Sequence, residues 1–263
     1  MKNAKNILIT GATDGIGTLT AQALAKLNHN IYIHGRSPKK IAETISKVKA
    51  ESGNNNIYSY QADLASFSEI KSMAQKIKED NLLIDVLINN AGMAGGKERR
   101  ESKDGLEVCF QVNYLATFLL THLLLPHIKE RIVNVSSLGQ YHIDFDDVML
   151  EKEYDGIRAY RQSKLAMIMF TFELARNIND LIVTSLHPGS MLNTKIAQEM
   201  FGTARGNANE GIKPIVSLAL EQGDIHGKFF NGTAEAKALP QAYDEESCKN
   251  LWNLSKDLVG DFL

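Results

Sequence analysis

The sequence predicts an α/β domain: a doubly wound (Rossmann-type), seven-stranded parallel sheet with helices on both faces. Short β-branched runs alternate with longer amphipathic stretches along its 263 residues, the pattern of β-α-β units. A glycine-rich turn joins the first such run to the first helical stretch. No linker, repeat or low-complexity block interrupts the alternation. A single nucleotide-binding domain over 1–263 is therefore preferred to two small ones.

Strands are expected at Asn6–Thr10, Ile31–His34, Ile57–Gln61, Val86–Asn89, Ile132–Ser136, Ile182–Leu186 and Lys228–Phe230, each apolar enough to be covered on both faces. Between them, Ile16–Leu27, Lys39–Glu51, Phe67–Lys78, Leu106–His127, Arg158–Asn177 and Asn209–Leu220 are expected as helices, several with apolar residues at three- and four-residue spacing. Two stretches fit the alternation badly. Leu138–Ile157 is rich in Asp and Glu, and Ser190–Asn209 carries scattered Met and Phe; both are expected as long loops, the second as a substrate-loop region.

Composition excludes several function classes. With 44% apolar and 23% charged residues the chain is neither disordered nor fibrous, and a formal charge of −2 gives no basic excess for nucleic acid or an anionic membrane surface. Cys109 and Cys248 are far apart, which argues against a disulfide framework, a zinc site or a dithiol centre and fits a reducing cytoplasm. None of the seven histidines forms a metal-ligand pair, so no metal is expected. Met1 and Lys2 run into the first strand with no apolar signal core. No apolar run reaches spanning length: the longest, Tyr114–Leu125, is broken by Thr117, Thr121 and His122 and ends at Pro126. A soluble, cytoplasmic protein is the expectation.

The first strand leads into Thr10-Gly11-Ala12-Thr13-Asp14-Gly15-Ile16-Gly17, where a helix begins at once. Such a turn lets backbone N–H groups approach a pyrophosphate, and the helix N-terminus adds partial positive charge. After the second strand, where an NAD site places an acid for the ribose hydroxyls, the chain reads His34-Gly35-Arg36. Arg36, with Lys39 and Lys40 nearby, offers a partner to a 2′-phosphate, so NADP(H) is expected over NAD(H). Asp63, in Ala62-Asp63-Leu64, reads equally as an adenine contact or a helix N-cap.

Tyr160 and Lys164 lie four residues apart in a helical stretch, so their heads share one face. A phenol is a poor acid-base group at neutral pH, and a fixed ammonium beside it should lower its pKa. Ser137, just past an apolar strand, could hydrogen-bond the carbonyl oxygen that Tyr160 protonates. With Asn89-Asn90-Ala91-Gly92, Val112-Asn113-Tyr114-Leu115, Ile132–Ser137, Tyr160–Ala166 and His187-Pro188-Gly189 with Thr194 in this order, the chain resembles the short-chain dehydrogenase/reductase family over nearly its whole length. The likeness is nearest to its retinol dehydrogenase-like and protochlorophyllide reductase-like branch, on Tyr160–Ala166, Leu174-Ala175 and Gly227-Lys228-Phe229-Phe230.

The resemblance implies an oxidoreductase moving a hydride between NADP(H) and a carbonyl or alcohol. Tyr160 would be general acid and base, Lys164 would hold the nicotinamide ribose, Ser137 would orient the substrate oxygen, and Asn113 would sit at a helix irregularity and help link the lysine to solvent. Gly11, Thr13, Asp14, Gly15, Ile16 and Gly17 would hold the phosphates, Arg36 the 2′-phosphate, and Asp63 and Leu64 the adenine. Asn89, Asn90, Ala91 and Gly92 would line the adenosine ribose, and Pro188, Gly189 and Thr194 the nicotinamide. Ser137 precedes Tyr160 by 23 residues, where the family has about a dozen, so Leu138–Ile157 holds an insertion and either Ser136 or Ser137 could face the substrate; the motif favours Ser137. Met191, Leu192, Ile196, Met200 and Phe201 suggest an apolar lid over a lipophilic small molecule, or packing of that loop against the core. Family members often pair as homodimers or homotetramers through the helices carrying Asn113 and Tyr160, although this branch includes monomers. Two rival readings are a nucleotide-binding, redox-responsive regulatory protein without turnover and a sugar-nucleotide epimerase; the intact set of four disfavours the first, the glycine spacing and short C-terminal region the second.

Overall fold

The computed structural model describes residues 4–190, 192, 194–203, 206–221 and 223–263. Its strands are β1 (Asn6–Ile9), β2 (Asn30–Gly35), β3 (Ile57–Gln61), β4 (Ile84–Asn89), β5 (Ile128–Val135), β6 (Ile182–His187), β7 (Lys228–Asn231) and β8 (Ala234–Glu235). They form one sheet in the order β3-β2-β1-β4-β5-β6-β7-β8. Seven are parallel as expected. The eighth is antiparallel, pairing Asn231 with Ala234 and Phe230 with Glu235 across a tight turn at Gly232. Two residues carry no periodicity, so only the Asn231-Gly232 dipeptide announces this strand.

Strand order reverses between β1 and β4, and the crevice at that reversal is where a doubly wound sheet binds ligands. Alternate residues of the central strands face opposite layers. Ile7 and Ile9 pack under α1 (Gly15–Lys26), α2 (Pro38–Ser52) and the later α7 (Ile212–Leu220), together with Ile31, Ile33, Val133, Leu186, Ile215 and Leu218. Leu8, Leu87, Ile132 and Val183 face α3 (Phe67–Glu79), α4 (Val108–His127) and α5 (Gly156–Asn177). β3 departs from the two-faced burial expected of it: at the sheet edge Tyr58, Ser59 and Gln61 are exposed, and Tyr58 stacks on Tyr32 at 5.0 Å.

α4 is not one regular helix. It is α-helical at Val108–Phe110, π-helical at Gln111–Leu115, α-helical again at Ala116–Leu124 and 3-10 at Leu125–His127. Contrary to the expectation that no apolar run reaches spanning length, this 20-residue helix holds an 18-residue window of mean hydropathy 1.6 and is long and apolar enough, by length and composition, to cross a membrane. Its most apolar window is 72% buried in the fold, the setting of a core helix.

Two helices were not anticipated. α6 (Lys195–Phe201) interrupts the expected loop, capped by the Thr194 hydroxyl, which accepts from Ala197 N, and ended by Gly202 at φ +67°. α8 (Glu245–Val259) starts at the N-cap Asp244 and lays Cys248, Leu251, Ser255 and Val259 inward. It covers α4 and α5: Trp252 meets Phe118 edge-on at 5.3 Å and Phe170 at 5.9 Å, and Ser255 hydrogen-bonds Tyr114. α8 thus packs on the two helices through which subunits were expected to pair. The insertion, 138–155, contains neither helix nor strand, as expected.

Candidate active site

The glycine turn at the end of β1 is held by contacts that leave no choice of side chain at two positions. Gly11 has φ +63°, and a Cβ there would lie 2.7 Å from Ala91 Cα; a Cβ on Gly17 would lie 2.4 Å from Gly11 O. Thr10 Oγ1 accepts from the backbone N–H of Asn90 and of Ala91, both at 3.0 Å. Asn90 Nδ2 donates to Thr10 O and Gly11 O at 2.9 and 3.2 Å. Thr13 lies against Gly35, and Ile16 packs on the core beneath α1. Asp14 caps α1, its carboxylate accepting from Gly15 N at 2.8 Å.

A dinucleotide fits these residues. Gly15, at φ +52°, would present a Cβ to open space with only the Thr194 methyl at 3.9 Å, so the N-terminus of α1 is approachable from the side of the β6 loop. Arg36 is exposed at the end of β2, and among the described residues its guanidinium has no partner; Lys39 and Lys40 are exposed beside it. Asp63 is neither free nor a helix cap. Its Oδ1 accepts from Ala65 N at 3.1 Å, Lys103 stands 3.8 Å from Oδ2, and the N-cap of α3 is Ser66. Leu64 is buried in the core. Asn89 belongs elsewhere, in a correction to its expected place at the ribose: its side chain faces the helix layer and donates to Asn134 and Thr121. It is fully enclosed, since β4 alternates and Asn90, not Asn89, turns toward the glycine loop.

Two adjacent residues join this cradle to the chemical end. Ala91 abuts Gly11, while a Cβ on Gly92 would lie 3.3 Å from Lys164 Nζ and 3.4 Å from Asn113 Oδ1. Lys164 is buried, donates to Val135 O at 3.1 Å and places Nζ 5.6 Å from the Tyr160 ring centroid. Ser137 lies close enough to Tyr160 to favour its phenolate, and its Oγ accepts from Gly139 N at 3.0 Å, whereas Ser136 Oγ turns away to Lys164 O at 2.7 Å. Ser136 is thereby tied to the backbone of α5, and of the two serines it is Ser137 that stands beside the tyrosine.

Asn113 sits in the π-helical stretch, the irregularity expected of it, and is fully buried. Its Oδ1 accepts from Met93 N at 2.7 Å, and its Nδ2 lies within hydrogen-bonding distance of Met93 O, Ser163 Oγ and Cys109 Sγ. Asn113 therefore clamps the segment after Gly92. Its position four residues after Cys109 follows helix periodicity, but that the two pack around Met93 could not be read from spacing alone.

Burial governs the electrostatics here. It pushes the Tyr160 phenol up to about 12, against the opposing hydrogen bond from Ser137. The expected lowering is outweighed by burial; Lys164 Nζ stands 5.6 Å from the ring centroid and bonds Val135 O. Burial also pulls Lys164 down to about 8, and together with Lys164 it holds His187 down at about 4. His187 hydrogen-bonds Ser190 at 3.0 Å.

The insertion builds a wall beside Tyr160. Leu150, in the left-handed region at φ +51°, is buried with Cys109 and Ala159, and Met93, Tyr154 and Tyr160 pack on them. Gln162, between Tyr160 and Lys164, donates to Val148 O at 2.7 Å. Gln241 donates to Ile143 O and accepts from Ile143 N at 3.0 and 2.8 Å. Of the residues in this wall, Leu150, Tyr154, Met93, Ile143 and Gln241 were not singled out in the sequence. After β6, Pro188 is buried and Gly189 takes φ +150°. Leu192 is buried against Gly189 and Gly211; Ile196 and Met200 are partly buried. Met191 and the side chain of Phe201 lie outside what is described.

Comparison with known proteins gives a consistent picture. The model of a family described as short chain dehydrogenase matches residues 5–204. Retinol dehydrogenase 13 of Homo sapiens is 36% identical over 281 residues, covering 97% of this chain and 85% of that protein. Polyprenol dehydrogenase of Homo sapiens is 33% identical, covering 96% and 84%. An uncharacterized protein from Mycobacterium Paratuberculosis has a crystal structure similar to this one, with TM-score 0.82 and 28% identity over 97% of this chain and 93% of that one. A short chain dehydrogenase from Shigella flexneri 2a, complexed with NADP, shares the fold at TM-score 0.72 and 24% identity, over 88% and 98%.

Proposed function

The chain belongs to the short chain dehydrogenase family of oxidoreductases, and from that premise we propose that it transfers a hydride between NADP(H) and a carbonyl or alcohol carbon, with Tyr160 as general acid and base. The observation that carries this reading is the meeting of Tyr160, Ser137 and Lys164 one glycine away from the turn that fits a dinucleotide.

When bound, the nicotinamide supplies or accepts the hydride. In reduction, the Tyr160 O–H gives its proton to the carbonyl oxygen, and the Ser137 hydroxyl donates to the same oxygen and holds it in reach. A phenol raised by burial stays protonated near neutrality, which suits the acid role. In oxidation the Tyr160 phenolate takes the proton from the alcohol and becomes the neutral phenol; the Lys164 ammonium offsets the negative charge that the oxygen carries before that transfer and after the reverse one. Lys164 would also hold the nicotinamide ribose, Asn113 keeps the adjoining segment in place, and Pro188, Gly189 and Thr194 would line the nicotinamide side. Arg36, unpaired among the described residues, would receive the 2′-phosphate, which favours NADP(H) as cofactor. Relatives named for retinol and polyprenol, both apolar alcohols, support a lipophilic alcohol or its carbonyl counterpart as substrate.

The test is a screen of NADPH and NADH oxidation against aldehydes and ketones. Tyr160→Phe should lower kcat by about 10²–10⁴-fold, the usual contribution of a positioned acid. Arg36→Ala should raise the KM for NADPH by about tenfold or more and leave NADH within about twofold, as loss of one charge-assisted contact predicts. Unchanged activity in Tyr160→Phe overturns the mechanism, and equal losses for both cofactors in Arg36→Ala overturn the cofactor preference. Cofactor binding with no turnover of any carbonyl would favour a regulatory protein.

A further inference from the structure

The glycine turn is gripped from its β4 side by Thr10 and Asn90, both of which the fold places beside it. On the β2 side a single residue does the same work. His34 is 3% exposed, and its ring accepts the Gly11 N–H on Nδ1 at 3.1 Å. Its backbone carbonyl accepts the next N–H of the turn, Ala12 N, at 3.0 Å. The other ring nitrogen, Nε2, lies 3.1 Å from Ala62 O. Because Gly11 N can only donate and Ala62 O can only accept, the ring must be neutral with its proton on Nε2. Burial agrees with this, holding the imidazole down at about 4 against the opposing pull of the Ala62 carbonyl and of Asp63.

The three contacts span two segments with different tasks. Gly11 and Ala12 open the turn that would carry the pyrophosphate, and Ala62 precedes the Asp63-Leu64 segment that would face the adenine. We propose that His34 is the positioning residue of the cofactor site: as a neutral staple it sets the spacing between the phosphate turn and the adenine wall. The proposal rests on the dinucleotide reading above. His34 does not reach the reacting atoms, so its loss should act on cofactor affinity and not on the chemical step.

Three variants separate this role from simple support of the fold. His34→Leu fills the space but leaves Gly11 N and Ala62 O without partners. His34→Gln keeps one acceptor and one donor in a neutral side chain. His34→Ala removes both contacts and the volume. For His34→Leu we expect the dissociation constant of NADP⁺ and the KM of NADPH to rise about tenfold or more, with kcat at saturating cofactor within about twofold of wild type. His34→Gln should recover most of that affinity, and His34→Ala should resemble His34→Leu. Equal NADP⁺ affinity in wild type and His34→Leu overturns the proposal, as does a loss confined to kcat. A second measurement needs no variant and no cofactor: long-range ¹⁵N NMR of the wild-type imidazole should show Nε2 protonated and Nδ1 bare at pH 7, and a proton on Nδ1 overturns the staple. If wild type binds no NADP⁺ while the Nε2–H form is found, the functional reading fails and the staple stands only as a structural contact, which overturns its role in the cofactor site.

Discussion

At the cofactor end, position is set by backbone: Gly11 and Gly17 have no room for a Cβ, and Thr10, His34 and Asn90 bond main-chain atoms of the strand ends beside them. In the wall beside Tyr160, position is set by side chains reaching across the molecule. Gln241 clasps both backbone groups of Ile143, 98 residues away, and Gln140 accepts from Leu239 N at 2.8 Å, 99 residues away. The contrast separates a turn fixed by sterics from a wall fixed by reach. Turn geometry tolerates few residues, whereas loops clasped by amides can be re-cut without moving Tyr160 or Lys164.

The sharpest way to break this comparison is Gly17→Ala. The new Cβ would lie 2.4 Å from Gly11 O and 2.5 Å from Asn90 Nδ2, and the first of these is backbone that cannot step aside. NADP⁺ binding by calorimetry should fall by about 100-fold or more and the melting temperature should drop, as overpacking by 1–3 kcal/mol or more implies. Full binding in this variant would show that the turn is as adaptable as the substrate loops.

Acid should reach both ends alike. His34 and His187 are held at about 4 against an ordinary 6.5, so the fold favours their neutral forms. Their contribution is fully present above about pH 6.5 and is lost as pH falls from there toward 4, by up to about 3 kcal/mol for each histidine at 1.36 kcal/mol per pH unit. Urea unfolding at pH 7 and 4.5 should show the loss, and His34→Gln should have a flatter dependence than wild type. Parallel curves for the two proteins would mean that His34 is not held neutral by the fold.

Gln241→Ala should have the smallest effect and the most selective one. Two hydrogen bonds to Ile143 are lost, about 1–2 kcal/mol together. Catalytic efficiency for a carbonyl substrate should fall by about three- to tenfold through KM, with NADP⁺ affinity unchanged; a change in cofactor affinity would merge the two ends into one unit.

Much of the molecule was legible from local pattern. All seven parallel strands stand within a few residues of their expected places, and the retinol dehydrogenase-like branch is borne out by relatives at 32–36% identity. The π-helical setting of Asn113 also matches. What was missed depends on partners distant in sequence. Asn89 looks like its neighbour Asn90 until the sheet turns one toward Asn134 and the other toward Gly11. Tyr160 was expected to have a lowered pKa from the nearness of Lys164, yet the burial that raises it comes from the whole fold. α8 is amphipathic, but only packing shows that its apolar side covers α4 and α5.

The sequence by itself determined the alternation of strands and helices, the glycine turn and the four-residue spacing of Tyr160 and Lys164, because hydrophobic period, glycine sterics and helix pitch are local properties. Only the tertiary structure decided that Ser137 and not Ser136 meets the tyrosine, that His34 staples the turn, and that the insertion and the C-terminal loop close one wall. Those outcomes depend on which backbone groups from remote segments arrive at one place, and no local period encodes that.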